Sequence, residues 1–238
     1  MDKVKDLAKM IDHSLLHPTM TDRELEEGCK IALKYDVASV CIKPYAVGMA
    51  REILKGSDVK VGTVIGFPHG NSALEIKTAE TLQAIRDGAV EIDMVVNTGK
   101  VLSEDWDYVA EEIRVITQTC HDRHAIVKVI FENDFLPDDR FKIKLCEICS
   151  GEGADFVKTS TGYGFVKGKD GKYSYQGATE HDLQLMRKHS SPSVQVKAAG
   201  GVRNLDALLK VKESGATRCG ATATAEILEE ANKRFRKK

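Results

Sequence analysis

The chain has 238 residues, which is enough for one large domain or two small ones. Its formal net charge is -1 at pH 7 and its acidic and basic residues are interspersed, which argues against a protein that binds nucleic acid or lies on a membrane surface. No apolar run reaches the roughly 20 residues that a membrane-spanning helix needs, and residues 1–16 lack the apolar core of a signal peptide.

Short runs of strand-forming residues recur along the whole chain, and longer segments of helical pattern separate them. The first run, 10–16, is a short candidate strand at the start. Seven clearer strands follow at 37–42, 60–67, 90–97, 125–132, 154–160, 194–200 and 216–222.

Amphipathic segments that predict helices lie between these strands, and the clearest are 21–35, 72–88 and 103–120. Thr21, Asn71 and Ser103 are suitable helix N-caps because their side-chain oxygens can accept hydrogen bonds from backbone N–H groups. Gly88 and Gly215 are suitable helix stops because glycine adopts the left-handed conformation that ends many helices.

Repeated β-then-α units imply a parallel sheet, which places the chain in the α/β class. Eight such units in this length favour a closed TIM (β/α)8 barrel over an open doubly wound sheet. No G-x-G-x-x-G motif follows the first strand, which lowers the open-sheet alternative further. We therefore predict a single barrel domain over residues 1–238, with parallel strands and a short N-terminal helix.

Six cysteines are scattered over the chain, and their spacing shows no disulfide framework. Cys146 and Cys149 form a C-x-x-C pair inside a helix-like segment, but a zinc site would need a second pair of ligands nearby. We expect two buried or half-buried thiols there and no metal site. A reducing, cytoplasmic location fits this cysteine usage.

Four of the predicted strands carry apolar side chains on one face and ionisable side chains on the other, because side chains alternate along a strand. In the 90–97 strand, Asp93 therefore points to the face opposite that of Ile92. Lys128, Lys158 and Lys197 occupy the ionisable face of three later strands. A sheet covered by helices on both sides is apolar on both faces. A barrel resolves the conflict, because the ionisable face can point into the lumen, near the C-terminal mouth where barrel enzymes have their active sites.

The alternative is a set of lumen salt bridges without chemistry. Three lysines for one or two carboxylates make a poor stabilising core, because unpaired buried charge costs several kcal/mol. Burial and a neighbouring cation both lower a lysine pKa, and Lys158 and Lys197 lie on consecutive strands. A neutral lysine can attack a carbonyl to form an imine, and Asp93 can move the protons that this requires.

Three small, glycine-rich segments follow the last strands: TSTGYG (159–164), AAGGVR (198–203) and GATAT (220–224). Backbone N–H groups in such turns, followed by a helix N-terminus, bind phosphate well. Barrel enzymes often build a phosphate site from the loops after the seventh and eighth strands. The alternative is that each segment is only a tight turn between a strand and a helix.

Eight segments of the chain resemble, in order, the motifs of the deoxyribose-phosphate aldolase family: IDHSLLHP, CIKP, GFPHG, EIDMVVN, VKVIFE, DFVKTSTG, KAAGGVR and ATRCGAT. The match runs from about residue 11 to residue 224. The resemblance implies a class I aldolase on a TIM barrel that uses neither metal nor cofactor. Such an enzyme interconverts 2-deoxy-D-ribose 5-phosphate with D-glyceraldehyde 3-phosphate and acetaldehyde, in deoxyribose phosphate catabolism.

The resemblance also implies roles for individual residues. By motif position, Lys158 is similar to the imine-forming lysine, Lys197 to the lysine that perturbs it, and Asp93 to the acid that relays protons. The pocket and phosphate positions of the family, together with Lys128 from the ionisable face, make up the expected substrate-binding set: Asp12, Cys41, Lys128, Gly162, Gly200, Gly201 and Thr222.

The chain departs from the family pattern at its expected phosphate pocket. Thr222 and Ala223 stand where small serines are common, and the loop after Tyr163 is longer than usual. One alternative is therefore a paralogous Schiff-base aldolase with a different sugar-phosphate acceptor. Another is a barrel that binds a phosphorylated metabolite without turnover, although such a protein has no use for a neutral lysine.

Small phosphorylated sugars and aldehydes are the expected partners, with no nucleic acid and no membrane. Barrels of this kind often pair, so a homodimer is also expected. His13 and His69 lie in family motifs, and we interpret them as structural hydrogen-bonding residues rather than acid–base groups.

Overall fold

The computed structural model describes residues 2–235 of the chain. A closed barrel of eight parallel strands forms its centre, and an antiparallel hairpin of two short strands lies outside the barrel. In chain order the strands are β1 (Ile11–Leu15), β2 (Ser39–Ile42), β3 (Lys60–Ile65), β4 (Glu91–Val95), β5 (Ile126–Ile130), β6 (Phe156–Lys158), β7 (Val166–Lys167), β8 (Tyr173–Ser174), β9 (Gln195–Ala199) and β10 (Arg218–Ala221).

The predicted TIM barrel is confirmed, and each of the eight predicted strands is present in it. Strand β1 pairs in parallel with both β2 and β10, which closes the barrel. Strand β6 pairs with β9, since β7 and β8 form the separate hairpin. Each strand stops short of its predicted bounds at one or both ends, because the chain leaves the ladder there to enter the connecting loops.

Helices follow the strands and surround the barrel, and α4 packs on β4 and α6 on β5. The predicted short N-terminal helix is α1. The helices are α1 (Lys3–Ala8), α2 (Asp22–Tyr35), α3 (Val47–Ile53), α4 (Leu74–Asp87), α5 (Thr98–Leu102), α6 (Trp106–His121), α7 (Asp139–Gly151), α8 (Glu180–His189), α9 (Leu205–Glu213) and α10 (Thr224–Phe235).

Three of the predicted helix boundaries are confirmed. The Thr21 side chain accepts a hydrogen bond from the Glu24 backbone N–H, and the Glu24 carboxylate accepts one from the Thr21 N–H, so a capping box begins α2. Gly88 ends α4 with a φ of 116°. Gly215 directly follows Ser214, the C-cap residue of α9, and has a φ of 101°.

Two predicted N-caps are wrong. Helix α4 begins after Ala73, two residues beyond Asn71, and no side chain caps it. Ser103 ends the short helix α5, and Asp105 caps α6 instead. An ionised carboxylate is a stronger acceptor for a helix N-terminus than a hydroxyl, which favours Asp105 over the nearby serine.

The alternation of side chains divides each barrel strand between two environments. On β4 and β5, Ile92, Met94, Val127 and Val129 are completely buried in the apolar core that the helices cover. The side chains between them point into the lumen. Because the outer face carries the apolar packing, the lumen face is available for charged groups.

All six cysteines are free thiols and buried. Cys146 and Cys149 lie in α7, as the helix-like segment predicted, and both are completely buried. Within residues 2–235, no helix combines the length and the apolar character that crossing a membrane requires.

A long connection joins β6 to α8, and we call residues 162–178 of it the inserted loop. It contains the β7–β8 hairpin, in which Val166 pairs with Ser174 and Lys167 with Tyr173. The loop returns to the barrel just before Thr179, whose side chain caps α8. This connection therefore stands at the C-terminal end of the barrel, next to the end of β6.

Candidate active site

Ionisable side chains from six strands meet inside the barrel, and we call them the lumen cluster. Their side chains range from 0% to 15% exposed, so the cluster is almost completely removed from solvent. The members of the lumen cluster are Asp12, Glu91, Asp93, Lys128, Lys158, Lys197 and Arg218.

Asp93 binds three lysines at once. Its Oδ2 atom accepts hydrogen bonds from Lys158 Nζ and Lys197 Nζ, both at 2.7 Å. Its Oδ1 atom accepts one from Lys128 Nζ at 2.9 Å. Lys158 and Lys197 are direct register partners on β6 and β9. The four side chains that strand alternation placed on one face therefore do come together in the lumen.

Asp12 and Glu91 complete the carboxylates of the cluster. Asp12 Oδ2 lies 2.5 Å from Lys197 Nζ, and Asp12 Oδ1 accepts a hydrogen bond from Arg218 Nη1 at 2.6 Å. Glu91 Oε2 accepts one from Lys128 Nζ at 2.6 Å. These contacts link all seven side chains into one network, so a change in one charge affects every other.

The lumen cluster contains four basic and three acidic side chains. If every member is ionised, one positive charge has no carboxylate to balance it. Burying a charge without a partner is costly, so the network favours the loss of one proton from a lysine. An arginine keeps its proton in proteins, which leaves the three lysines as candidates.

Among these lysines, Lys158 is the one whose pKa is lowered. Burial is the largest cause, since it disfavours the charged ammonium. The carboxylate of Asp93 acts in the opposite direction, and the positive charge of Lys197 lowers the pKa of Lys158 further. Lys158 is therefore the lysine of the cluster that gives up its proton most readily.

The other basic groups keep their protons. Burial alone would lower the pKa of Lys197, but Asp12 and Asp93 outweigh it and raise that pKa above its usual value. Three carboxylates hold the pKa of Lys128 well above its usual range in the same way. The pKa of Asp93 stays well below its usual range, because its three lysine partners outweigh the opposing effect of burial. Asp93 is thus a carboxylate at neutral pH.

A cavity of about 490 Å³ opens above the lumen cluster, at the mouth of the barrel. Eight of the ten residues expected at the site line this cavity: Asp12, Cys41, Lys158, Gly162, Lys197, Gly200, Gly201 and Thr222. Asp93 lies beneath the cavity, where it contacts both of the lysines that line it.

Lys128 is also beneath the cavity, although the sequence suggested contact with substrate. Its side chain is completely buried, and its Nζ atom lies within 3.4 Å of oxygen atoms of Glu91, Asp93 and Asp12. Among residues 2–235, those that line the cavity do not include it. This geometry fits a charge that holds three carboxylates in place better than it fits a group that binds substrate.

Glycine-rich turns form one end of the cavity. Gly162, Gly200 and Gly201 each have a φ of 88°, a conformation that side-chain-bearing residues rarely adopt. Helices α9 and α10 begin shortly after the turns that follow β9 and β10. Helix N-termini and exposed backbone N–H groups favour negative charge, so this end of the cavity suits an anionic group such as a phosphate.

Sequence reasoning did not assign three charged residues to the site: Glu91, Arg218 and Glu132. Arg218 begins β10, where its register partner is Lys197, and alternation within the 216–222 strand could have placed it on the lumen face. Glu132 follows β5 in the left-handed conformation, with a φ of 56°. Its carboxylate accepts hydrogen bonds from the backbone N–H and hydroxyl of Thr161, which fixes the start of the inserted loop.

Cys41 and His13 lie beside the site. Neither side chain is placed to transfer protons. Cys41 Sγ is 3.9 Å from Asp93 Oδ2, and burial raises the pKa of the thiol to about 11, so it stays protonated at neutral pH. His13 Nδ1 is hydrogen-bonded to Thr224 Oγ1 at 2.8 Å, as expected of a structural histidine. His69 is exposed and, within the described part of the chain, has no hydrogen-bond partner.

Comparison with known families gives a match over most of the chain. The model of the DeoC/LacD family aldolases matches residues 7–225, a segment that includes every member of the lumen cluster. The chain belongs to this family. Membership agrees with the resemblance that the sequence motifs showed.

Curated relatives in the family share much of the sequence. A deoxyribose-phosphate aldolase from Rhodopirellula baltica is 53% identical over 230 residues, which cover 97% of this chain and 91% of that protein. One from Clostridium perfringens is 46% identical over 229 residues, which cover 96% of each chain.

Solved structures of aldolases share the fold. The aldolase QR15 superposes with a TM-score of 0.86 at 35% identity, covering 96% of this chain and 97% of that one. The deoxyribose phosphate aldolase of Aeropyrum pernix, described as tetrameric, has a TM-score of 0.86 at 28% identity, covering 99% and 94%. The TIM barrel and the family thus rest on independent comparisons of sequence and structure.

Proposed function

We propose that this protein is a deoxyribose-phosphate aldolase, a lyase that interconverts 2-deoxy-D-ribose 5-phosphate with D-glyceraldehyde 3-phosphate and acetaldehyde. The observation that carries the proposal is the environment of Lys158. This lysine lines the cavity, its pKa is lowered, and it belongs to a buried cluster with one positive charge too many. The names of the curated relatives support the choice of substrate.

The first step is the attack of the neutral Lys158 amine on the aldehyde carbon, C1, of the open-chain sugar. Loss of water leaves an imine between Lys158 Nζ and C1, and protonation of its nitrogen makes it an electron sink. Lys197 favours this step through its charge, and Asp93 holds the two amines side by side. Lys197 keeps its own proton and thereby disfavours a proton on Lys158, while Asp93 accepts a hydrogen bond from either amine.

Cleavage then breaks the C2–C3 bond of the sugar. When a base removes the proton of the C3 hydroxyl, C3 becomes the aldehyde carbon of D-glyceraldehyde 3-phosphate, and the electron pair of the bond moves toward the imine nitrogen. An enamine remains on Lys158. Protonation at C2 and hydrolysis of the resulting imine release acetaldehyde and restore the amine. No metal or cofactor is required, because the protonated imine itself accepts the electron pair.

Asp93 is the group that we assign to proton transfer. It is ionised at neutral pH, so it begins the cycle as an acceptor of protons. Because Asp93 lies beneath Lys158 and Lys197, protons pass between it and the cavity by way of the two lysine nitrogens, each 2.7 Å from its Oδ2. Asp12 and Arg218 hold Lys197 in position from the other side of the lumen.

The glycine-rich end of the cavity is assigned to the phosphate. Gly162, Gly200 and Gly201 expose backbone N–H groups there, and Thr222 adds a hydroxyl. With the phosphate at this end, the sugar extends toward Lys158. Asp12 and Cys41 line the wall between these two ends and complete the substrate-binding set that we propose.

Trapping of the imine tests the proposal directly. Acetaldehyde and borohydride should attach a reduced two-carbon adduct to Lys158, and peptide mass spectrometry should locate it there. Lys158→Leu should abolish both the adduct and retro-aldol activity on 2-deoxyribose 5-phosphate. Lys43→Leu is the matched control, since Lys43 directly follows barrel strand β2 but donates hydrogen bonds to the backbone carbonyls of Pro18 and Met20.

Two results would contradict this function. One is an adduct that forms on Lys158→Leu at the wild-type rate, since the nucleophile would then be another residue. The other is loss of activity in EDTA, since the proposed route uses no metal ion.

A second candidate is a Schiff-base aldolase with a different sugar-phosphate acceptor. The inserted loop favours it, because Phe165 and Tyr175 of that loop line the same cavity as Lys158. The two candidates share their chemistry and differ in the acceptor. Comparing kcat/KM for 2-deoxyribose 5-phosphate with kcat/KM for other sugar phosphates separates them.

We further propose that residues 1–238 act as one aldolase domain in deoxyribose phosphate breakdown in the cytoplasm. Six buried free thiols support a reducing compartment. Small phosphorylated sugars and aldehydes are the proposed partners, with a second copy of the chain in a homodimer. Sedimentation of the purified protein would test the homodimer.

A further inference from the structure

The inserted loop is fastened onto the phosphate end of the cavity. Asp134, which follows β5, accepts hydrogen bonds from the backbone N–H groups of Gln176, at 2.5 Å, and Gly177, at 3.0 Å. The next residue, Ala178, donates its backbone N–H to the carbonyl oxygen of Gly200 at 3.2 Å. The returning arm of the loop is thus joined to the glycine turn that follows β9.

The loop and the turn approach so closely that the contacting residue of each must be a glycine. A Cβ atom on Gly200 would lie 3.0 Å from the Cα atom of Gly177, and a Cβ atom on Gly177 would lie 2.9 Å from the backbone of Gly200. Both residues also have positive φ angles, 88° and 69°. The contact between the loop and the turn, which we call the seat of the loop, therefore depends on glycine at both positions.

This seat places Tyr175 against the turn. A Cβ atom on Gly200 would lie 3.4 Å from Tyr175 Cε2, which is ordinary van der Waals contact. The tyrosine ring packs edge-on against Phe165, with ring centroids 5.1 Å apart, and both aromatic residues line the cavity that contains Lys158. The hydroxyl oxygen is two bonds from Cε2, the ring atom that approaches Gly200.

The Tyr175 hydroxyl has no hydrogen-bond partner within residues 2–235. A hydroxyl on a residue that lines a cavity can donate to a ligand bound there, while the apolar ring packs on the protein. The lining of the same cavity includes groups suited to an anion: the glycines of the turn, Thr222 and the positively charged Arg203. A phosphate oxygen is the acceptor that this surrounding would supply.

We propose that Tyr175 is a specificity-determining residue, whose hydroxyl donates a hydrogen bond to the phosphate group of the substrate. The assignment of a phosphorylated sugar rests on the proposed function, whereas the assignment of Tyr175 to a phosphate rests on the seat of the loop. The insertion thereby supplies a hydroxyl donor at this end of the cavity.

Tyr175→Phe removes the hydroxyl and keeps the ring in contact with Gly200 and Phe165. We expect the KM for 2-deoxyribose 5-phosphate to rise about tenfold, the usual cost of losing one hydrogen bond to an ionised group, while kcat changes less than twofold. With unphosphorylated 2-deoxyribose, kcat/KM should not change. The matched control is Tyr173→Phe, because Tyr173 belongs to the same hairpin but is 65% exposed and lies outside the cavity lining.

Calorimetry with inorganic phosphate separates this inference from the proposed function. We expect Tyr175→Phe to weaken phosphate binding about tenfold relative to the wild type and to Tyr173→Phe. Equal phosphate affinity in all three proteins would overturn the role of Tyr175, even if the wild type cleaves 2-deoxyribose 5-phosphate. If the wild type fails to cleave that sugar, the proposed function falls, and the comparison of phosphate affinities still decides on Tyr175.

Discussion

Replacing Lys197 by methionine tests how the lumen cluster controls its nucleophile. With Lys197 present, the cluster has four basic and three acidic groups, and Lys158 can lose its proton to balance them. Without it, three basic groups face three carboxylates when Lys158 is protonated. The variant should therefore hold the proton on Lys158 and suppress imine formation at neutral pH. Methionine has a similar length, so the packing of β9 should persist.

The geometry sets the size of this effect. Lys158 Nζ and Lys197 Nζ each lie 2.7 Å from Asp93 Oδ2, so they are at most twice that distance, or 5.4 Å, apart. At an effective dielectric constant of about 20, two unit charges this far apart repel by about 3 kcal/mol. Removing the repulsion should raise the pKa of Lys158 by about two units. The neutral fraction of Lys158 at pH 7 should then fall about 100-fold.

The assay is the rate of reductive trapping of acetaldehyde, measured across the pH range in a single turnover. For Lys197→Met we expect trapping about 100-fold slower than the wild type at pH 7, with recovery about two pH units higher. Lys197→Arg keeps the positive charge and should keep a pH profile close to that of the wild type. Wild-type trapping rates for Lys197→Met at neutral pH would refute the electrostatic explanation.

Two further predictions concern single buried groups. Asp93→Asn keeps the shape of the side chain but breaks ion pairs with three buried lysines, so we expect a loss of about 3–5 kcal/mol in the free energy of unfolding in urea; an unchanged urea midpoint would show that the lysines do not depend on this carboxylate. The pKa of His13 is lowered by burial from its ordinary 6.5 to about 4, so the unfolded chain takes up this proton first on acidification. Folding stability should therefore fall by about 3 kcal/mol as the pH drops from 6.5 to 4. His13→Gln should remove that part of the pH dependence, whereas His189→Gln should keep it; equal slopes in the two variants would contradict the burial argument.

The sequence predicted the barrel because its evidence is local. Strands and helices are recognised from periodicity over a few residues, and eight alternating units of this size have one common closed arrangement. The same alternation placed Asp93, Lys128, Lys158 and Lys197 on one face. Helix starts were harder: Asp105 rather than Ser103 caps α6, because several polar residues compete for a position that only the tertiary path decides.

The candidate site was predictable in its members but not in its connections. The register of β6 against β9 makes Lys158 and Lys197 neighbours, and their order in the sequence suggested it. Asp93 lies on β4, two strands away from β6, and contacts both lysines across the lumen. The pattern of residues within one strand cannot predict such a contact between strands. The contacts of Arg218 with Asp12 and Glu91, which bring the basic groups of the cluster to four, likewise come from the structure.

Both the sequence and the tertiary structure bear on which lysine loses its proton. The sequence by itself determined that Lys158 lies in a predicted strand and that a second lysine lies on the next barrel strand. Only the tertiary structure decided that Asp12 and Asp93 raise the pKa of Lys197 while Lys158 stays below its usual value, and that the inserted loop seats Tyr175 on Gly200. The physical reason is that a side chain's face depends on its own strand, whereas its pKa and its contacts depend on groups that barrel closure brings near from distant parts of the chain.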